Sequence, residues 1–511
     1  MKNNPESTLQ QRESFTFYYS DARCGAGKTR WALQHMATTE GRFVYVVDRC
    51  DVMEKRRSEV TRIAFENDFS ALRTAVIRSR QGQSVQREIE WAGERYADEV
   101  HCVVIVTHEG MKMSDFSRYR DRGWSIIIDE CPSVFDCQSH RTPALAANFE
   151  ANYALDPVGD TLWSQVRLKS GAISGAHLRD DEALSGFQTF HKRAASAQGV
   201  FVSVHDWQQI AEQNGKRWKW WSLWSPAELA PFDHVTLLAN QFERSVTLKL
   251  FRTFFPRIEW QPFSIPDRRE WLPRRMTIRY FANEHAGSTD WWLKNERGRE
   301  AIEHVRQYLA STLDDDDLFT CNENLLPVLT GIRAEWRKPR QAGENRFSTF
   351  SRATMIYSSK VQPHERTTFA EWEISSDDVI RSREYEDLIQ FACRLAVRDP
   401  HSTVPIIVTV YSRDQAEALR SFFAASGYVD AALEMIDIGI GDWVRKRPGQ
   451  RAEFLTISDR EQHERQSKAS KAERQRQRRA ADRAARTAAG TYRGPGRPQR
   501  AAGDNPQSLG A

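Results

Sequence analysis

At 511 residues the chain is long enough for two or three domains with sizeable cores, and 40% hydrophobic with 28% charged residues is the balance of a soluble globular protein. No run of 18 apolar residues occurs, and the polar start MKNNPESTLQQRES has no apolar stretch, which argues against a helical membrane span and a secretory signal. The net charge of +4 hides an asymmetry: residues 460–500 carry 13 Lys/Arg against 4 Asp/Glu, leaving the first 459 residues at −4, so a mildly acidic body ends in a basic tail suited to a polyanion.

The aromatic run Phe15, Phe17, Tyr18, Tyr19 reads as a strand, and Trp31, Ala32, Leu33, Met36 as the apolar face of a helix. Between them lies Ala22-Arg-Cys-Gly25-Ala26-Gly27-Lys28-Thr29. Strand, small-residue loop and helix carrying Gly-Lys-Thr make a phosphate-binding loop. Gly25 and Gly27 let the backbone turn its N–H groups on phosphate oxygens, Lys28 reaches the terminal phosphates, and the Thr29 hydroxyl can ligate Mg²⁺.

Strands are expected at 42–47, 74–77, 102–107 and 125–129, with helices at 51–65 and 82–99 between them. Alternating strands and helices, with strands apolar on both faces, predict a parallel sheet wrapped by helices, and ligands then sit at the strands' carboxyl ends. Lys28 and Asp129 both fall there. Trp124-Ser-Ile-Ile-Ile-Asp129-Glu130-Cys131-Pro132 ends a strand in two carboxylates: Asp129 to hold Mg²⁺ and Glu130 to orient and deprotonate the attacking water. Seven cysteines without a Cys-x-x-Cys pair speak against zinc and for a reducing, cytoplasmic interior.

At this point the sequence resembles the superfamily-two DExD/H helicases, in divergent form. Ala22–Thr29, with Ala22 in place of the first glycine, resembles motif I, and Asp129-Glu130-Cys131-Pro132 resembles motif II. Val104–Gly110 is similar to the segment before motif II, where a Thr and a Gly lie near the nucleic-acid backbone. Phe43–Asp48 resembles motif Ia, although the usual Pro is missing. Gln10 and Gln11 are the candidates for an adenine-reading glutamine. The resemblance implies two RecA-like parallel-sheet domains, ATP and Mg²⁺ as cofactors, and a nucleic-acid partner, DNA ahead of RNA. A divergent member with an insertion and a basic tail suits a phage or mobile element.

Residues 140–230 break the sheet rhythm. Helices are expected around 179–197 and 206–214, then Arg217-Trp-Lys-Trp-Trp-Ser-Leu-Trp224. Those aromatics and cations would suit base stacking; a β-hairpin packing its rings into a domain interface is the favoured alternative. Phe232–Asn240 resumes as a strand, and Leu238-Ala239-Asn240 loosely resembles motif III.

Pro256, Pro262, Pro266 and Pro273 suggest a stiff connector. Strands follow near 276–281, 318–320, 353–357 and 405–411, with helices at 297–313 and 415–423. The run Asp314–Asp317 reads as a solvated loop. The turn carrying Gly343 and Asn345 resembles motif V, which in the family faces ATP; a plain surface turn fits as well. Gln390, Arg394 and Arg398 stand four apart on one helical face and resemble motif VI, whose arginines enter the ATP cleft from the second domain. Cys393 replaces its glycine, and the finger is either Arg394 or Arg398. In the tail, Arg493-Gly-Pro-Gly-Arg-Pro498 is similar to an AT-hook core, with generic polyanion binding the broader reading.

The expected organisation is a first RecA-like domain at 1–139 and 231–255, an insertion at 140–230, a linker at 256–275, a second RecA-like domain at 276–430 and a tail at 431–511. The expected function is that of a helicase or translocase. Its catalytic residues are Glu130, Gln390, Arg394 and Arg398. Ala22, Gly25, Ala26, Gly27, Lys28, Thr29, Gly343 and Asn345 bind the nucleotide, and Thr29 and Asp129 hold the metal. Two alternatives stay open: a terminase-type packaging ATPase, which needs a nuclease domain with three clustered carboxylates, and a non-enzymatic scaffold that binds nucleic acid.

Overall fold

Strictly apolar runs become strands buried on both faces. In chain order these and their neighbours are β1 (Phe15–Ser20), β2 (Arg42–Val47), β3 (Arg73–Val76), β4 (Cys102–Thr107) and β5 (Trp124–Asp129); β6 (Phe135–Arg141), β7 (Tyr153–Pro157), β8 (Trp163–Leu168), β9 (Val200–Ser203) and β10 (Arg217–Leu223); β11 (His234–Leu238) and β12 (Ile258–Pro262); and β13 (Arg274–Ala282), β14 (Leu318–Cys321), β15 (Glu335–Trp336), β16 (Arg352–Ile356), β17 (Ile406–Ser412) and β18 (Val429–Met435). The computed structural model describes residues 15–443 except 70, 80–82, 142–150, 159–162, 174–186, 197, 212–216, 267–268, 284 and 340–346, with scattered positions between 465 and 481.

Among the described residues, the first sheet runs β12-β1-β11-β5-β2-β4-β3, parallel throughout. Successive side chains of a strand point to opposite faces. Val44, Val46, Val104, Val106, Ile126 and Ile128 therefore pack into one core, and Phe43, Tyr45, Val47, Val103, Ile105 and Ile127 into the other. Helices α1 (Lys28–Thr38) and α2 (Met53–Glu66) cover the second face. A second parallel sheet runs β15-β14-β16-β17-β13-β18 and divides its side chains between two cores in the same way. These are the two α/β lobes expected.

The insertion is more strand-rich than its sequence suggests. Its five strands form an antiparallel sheet, β6-β10-β9-β8-β7. Helix Gln188–Ala194 falls within the first helical stretch expected, and Val204–Ala211 overlaps the second, starting two residues earlier. Trp218, Trp220, Trp221 and Trp224 are all buried, Trp221 packing edge-on against Trp372 of the second half at 5.0 Å. The stretch is one strand between β6 and β9 and not a hairpin; Trp221 and Trp224 do pack into the core shared with the first sheet, whereas Trp218 and Trp220 fill the insertion's own core, and buried rings are not a stacking platform.

Three expectations change. The stretch 256–275 is not all connector, because Ile258–Pro262 pairs in parallel with β1 and Phe263 N–H donates to the Tyr19 carbonyl at 2.9 Å. A proline is tolerated at the end of an edge strand, where its missing donor is not needed. The body also runs past residue 430: β18 pairs with β13, and the Trp443 carbonyl bonds His285 Nδ1 at 2.8 Å. Asp317 is not solvated, since it is buried and ion-paired to Arg352. Residues 1–445 form one unit and 446–511 another, whose described positions are helical and exposed. Among the described residues, no helix is long and apolar enough to cross a membrane.

Candidate active site

The order β1-β11-β5 lays three strand ends side by side, and the loops that leave them build the site. After β1 comes the phosphate loop, with Gly25 at φ 81° and Gly27 at φ 90°, backbone open to glycine and costly for other residues. Ala22 is not among the positive-φ positions, so its backbone does not require glycine. Gly27 precedes α1, placing Lys28 and Thr29 at its N-terminus, where the partial positive charge favours an anion. Lys28 Nζ donates to the carbonyls of Ala22 and of Arg23, the latter at 3.2 Å, and Arg269 braces the Gly25 carbonyl.

Asp129 Oδ2 accepts from Thr29 Oγ1 at 2.9 Å and from the Tyr45 hydroxyl at 2.6 Å. Behind it, His108 Nε2 bonds the Asp129 carbonyl at 3.0 Å. Burial pushes that imidazole down to about 4, so it is neutral, with Nε2–H the donor. Thr107 spends its hydroxyl capping the helix His108–Met113, accepting from Gly110 N–H. Glu130 sits at φ 70°, uncommon for a residue with a side chain and characteristic of functional turns. That bend, fixed by its N–H donating to the Leu238 carbonyl at 2.8 Å, turns Glu130 toward the second lobe. Burial, then the charge of Asp129, push its carboxyl up to about 7, against the pull of Lys28.

The second lobe answers across the seam. Gln390 Nε2 donates to Glu130 Oε2 at 3.1 Å and to Glu386 Oε1 at 2.9 Å. The arrangement of the arginines differs from one helical face. The helix ends at Ala392 and Leu395 is extended; Arg398 closes a short 3₁₀ turn, Ala396–Arg398, while the Ala396 N–H donates to the Phe350 carbonyl at 2.9 Å. Both arginines nonetheless line the cleft: Arg398 Cγ lies 4.0 Å from where a Cβ on Gly25 would stand. The cleft is about 370 Å³ and is lined by Gly25, Gly27, Lys28, Thr29, Glu130, Gln390, Arg394 and Arg398 together. Gly343 and Asn345, like Gln10, Gln11 and the 493–498 segment, lie outside the described residues.

No family model matches the chain, and no curated protein matches it. Solved structures similar to it include an XPD helicase (8% identical, TM-score 0.44, covering 83% of this chain and 96% of that one). Another is Xpd4 of S. tokodaii (11%, 0.39, 81% and 96%), and a third is Dbp5 of S. cerevisiae bound to RNA and ADP BeF3 (8%, 0.34, 84% and 87%). With a phosphate-type loop after β1, Asp-Glu at the end of β5 and a second parallel sheet across the cleft, the chain has a two-lobed α/β fold built on parallel sheets.

Sequence reasoning missed Tyr45, Arg56 and Glu386. Arg56 lines the cleft and holds Glu59 at 2.7 Å. The signal was present: Met53, Arg56, Val60 and Ala64 form the buried stripe of α2, and a cation on an apolar stripe marks a site. Glu386 sits four residues before Gln390 and gave no comparable signal.

Proposed function

We propose that this chain is an ATP-driven nucleic-acid helicase or translocase that hydrolyses ATP in the seam between its lobes. One observation carries the reading: Gln390 of the second lobe reaches Glu130 of the first, and Arg394 and Arg398 line the same cleft as Lys28 and Thr29. Phosphoryl transfer asks a protein mainly for position and charge. The loop Ala22–Gly27 cradles the phosphates and Lys28 grips their terminal end. The hydroxyl and carboxylate oxygens of Thr29 and Asp129 suit Mg²⁺, which when bound neutralises phosphate charge. Glu130, with its raised carboxyl, takes the proton of the attacking water, since a base works best with a pKa near the working pH. The second-lobe arginines supply charge opposite, so hydrolysis depends on how the lobes meet. The track is nucleic acid, DNA ahead of RNA, approached by the basic tail, and the setting is the cytoplasm.

A packaging motor of the terminase type is less well supported. The sheet after residue 273 is parallel in each of its pairings, and no cluster of three His, Cys, Asp or Glu suited to a metal occurs among the described residues. The test is steady-state ATP hydrolysis with single- and double-stranded DNA and RNA. At least one strand type raises the rate, and Lys28→Ala and Glu130→Gln each abolish it, Glu130→Gln by roughly 10²–10⁴-fold. A rate equally negligible with every strand would sink the motor reading. Nucleic-acid binding and biological activity left normal in Lys28→Ala would favour the scaffold.

A further inference from the structure

Glu386 opens the helix Glu386–Ala392, and among the described residues its carboxylate faces three amides and no cation within hydrogen-bonding distance. Asn240 Nδ2 donates to both of its oxygens, at 3.0 and 2.8 Å; Gln241 Nε2 donates at 3.1 Å and Gln390 Nε2 at 2.9 Å. Asn240 and Gln241 leave the end of β11, beside the strand that carries Asp129 and Glu130. Gln241 holds φ 51° there, a left-handed turn that brings a second side-chain amide onto the same carboxylate. The Gln390 amide has two hydrogens, and the geometry uses both: one on Glu386, one on Glu130.

We propose that Glu386 is a positioning residue for ATP hydrolysis, a latch that fixes Gln390 on Glu130 and fastens the second lobe to the end of β11. The inference rests on the ATPase reading. Glu130 is tied to this latch twice, through Gln390 and through its own N–H on the Leu238 carbonyl, two residues before Asn240. When the lobes part, Glu386 and Gln390 leave together and Glu130 loses its orienting partner. When they meet, three neutral donors satisfy the carboxylate and the amide is aimed again. Hydrolysis is thereby confined to the closed state. Glu386 touches none of the reacting atoms; the Lys28 charge acts on it, but its hydrogen bonds go to Asn240, Gln241 and Gln390, so its loss is read in kcat ahead of nucleotide affinity.

The experiment is strand-stimulated ATP hydrolysis by the full chain, read as kcat and KM separately, with the melting temperature of every variant. Glu386→Ala lowers kcat roughly 10- to 100-fold, the cost of about an ångström of misplacement, and leaves KM within about twofold. Glu386→Gln, which keeps the shape and one acceptor oxygen, falls between it and the wild type and serves where the alanine variant melts early. Asn240→Ala combined with Glu386→Ala is no slower than Glu386→Ala alone, because both break one cluster. Unchanged kcat in a folded Glu386→Ala, a rise in KM matching the fall in kcat, or additive losses in the double variant would each overturn the latch. A wild-type chain without ATPase activity defeats the functional reading itself. A wild-type chain that hydrolyses ATP, a dead Lys28→Ala and a fully active Glu386→Ala defeat the latch alone.

Discussion

Asp129 and Glu130 are neighbours in sequence yet serve different lobes, because the left-handed bend at Glu130 separates their directions. Asp129 stays with Thr29 and Tyr45 in the first lobe, while Glu130 meets Gln390 of the second. The same division bears on the arginines. Arg398 passes against Gly25, inside the loop that holds phosphates, whereas Arg394 is buried where the helix ends, with its guanidinium 5.9 Å from the Phe391 ring. Arg398→Ala should therefore cost kcat at least about 10³-fold, as expected of a finger, and Arg398→Lys should not restore it, since an ammonium lacks the planar fork. Arg394→Ala should lower the melting temperature and cost less in kcat; kinetics and calorimetry on the two variants decide, and the reverse ranking hands the role to Arg394. The phosphate loop and the Asp-Glu pair were legible in the sequence because their chemistry is local, with ligand groups packed into a few consecutive residues. Glu386 and Tyr45 were not, because each is placed by partners far off in sequence, Tyr45 by Asp129, 84 residues away, and Glu386 by Asn240, 146 residues away.

Elements of the two main sheets were legible because parallel strands covered on both faces are apolar without interruption. The insertion was not: β6 reads Phe-Asp-Cys-Gln-Ser-His-Arg and β7 Tyr-Ala-Leu-Asp-Pro, antiparallel strands whose polar positions mimic loop. Burial inside this sheet has an acid-sensitive consequence. His140 lies among Phe187, Trp218 and Trp220, and its Nε2 is buried without a hydrogen-bond partner. Burial lowers its pKa, aided by the charges of Arg217 and His364, and burial lowers that of His191. A group held neutral in the fold contributes stability above its unfolded pKa of about 6.5, and that contribution is lost as pH falls toward the folded value. The insertion should loosen between pH 7.5 and 5.5, seen as faster hydrogen exchange in β6 and β10. His140→Phe, which keeps the ring packing and removes the titrating group, should blunt the effect; identical exchange in both proteins at both pH values would refute it.

On the scale of the molecule, the first lobe's core takes in a segment from the second half of the chain on one side, and polar contacts join the lobes at the cleft on the other. A single apolar cluster contains β1 and β5 of the first sheet, Phe135, Trp221 and Trp224 of the insertion, and Val361, Phe369, Ile374 and Val379 from the second half of the chain. The residues Leu388, Ile389 and Phe391, a few positions further on, belong to the core of the second sheet instead. Between them lies a π-helical turn, Arg381–Tyr385, the kind of irregularity that marks functional positions within helices. The segment before that turn and the turn's own start are anchored to the first lobe, with Lys249 paired to Asp378 at 2.6 Å and the Val246 N–H donating to Ser382 Oγ at 3.0 Å. Opening the cleft can therefore pivot the second sheet about this turn while the 361–380 segment stays with the first lobe. Because the chain of the second lobe is rooted in the first lobe's core through the 361–380 segment, the two lobes should unfold together. Trp372 is the test point, with its indole 5.3 Å from Phe135, 5.0 Å from Trp221 and 4.9 Å from Phe254. Trp372→Ala should cost about 3 kcal/mol, the lower end for such truncations because the ring is only partly buried. It should turn one calorimetric transition into two, the lower one belonging to the loosened partner. On the proposed function Mg²⁺·ATP would bridge the lobes from the other side, so at about 100 times its dissociation constant it should add about 2.7 kcal/mol and draw the two transitions back together. Two peaks in the wild-type chain, or a single peak in Trp372→Ala, would show that the lobes do not share their stability through this core.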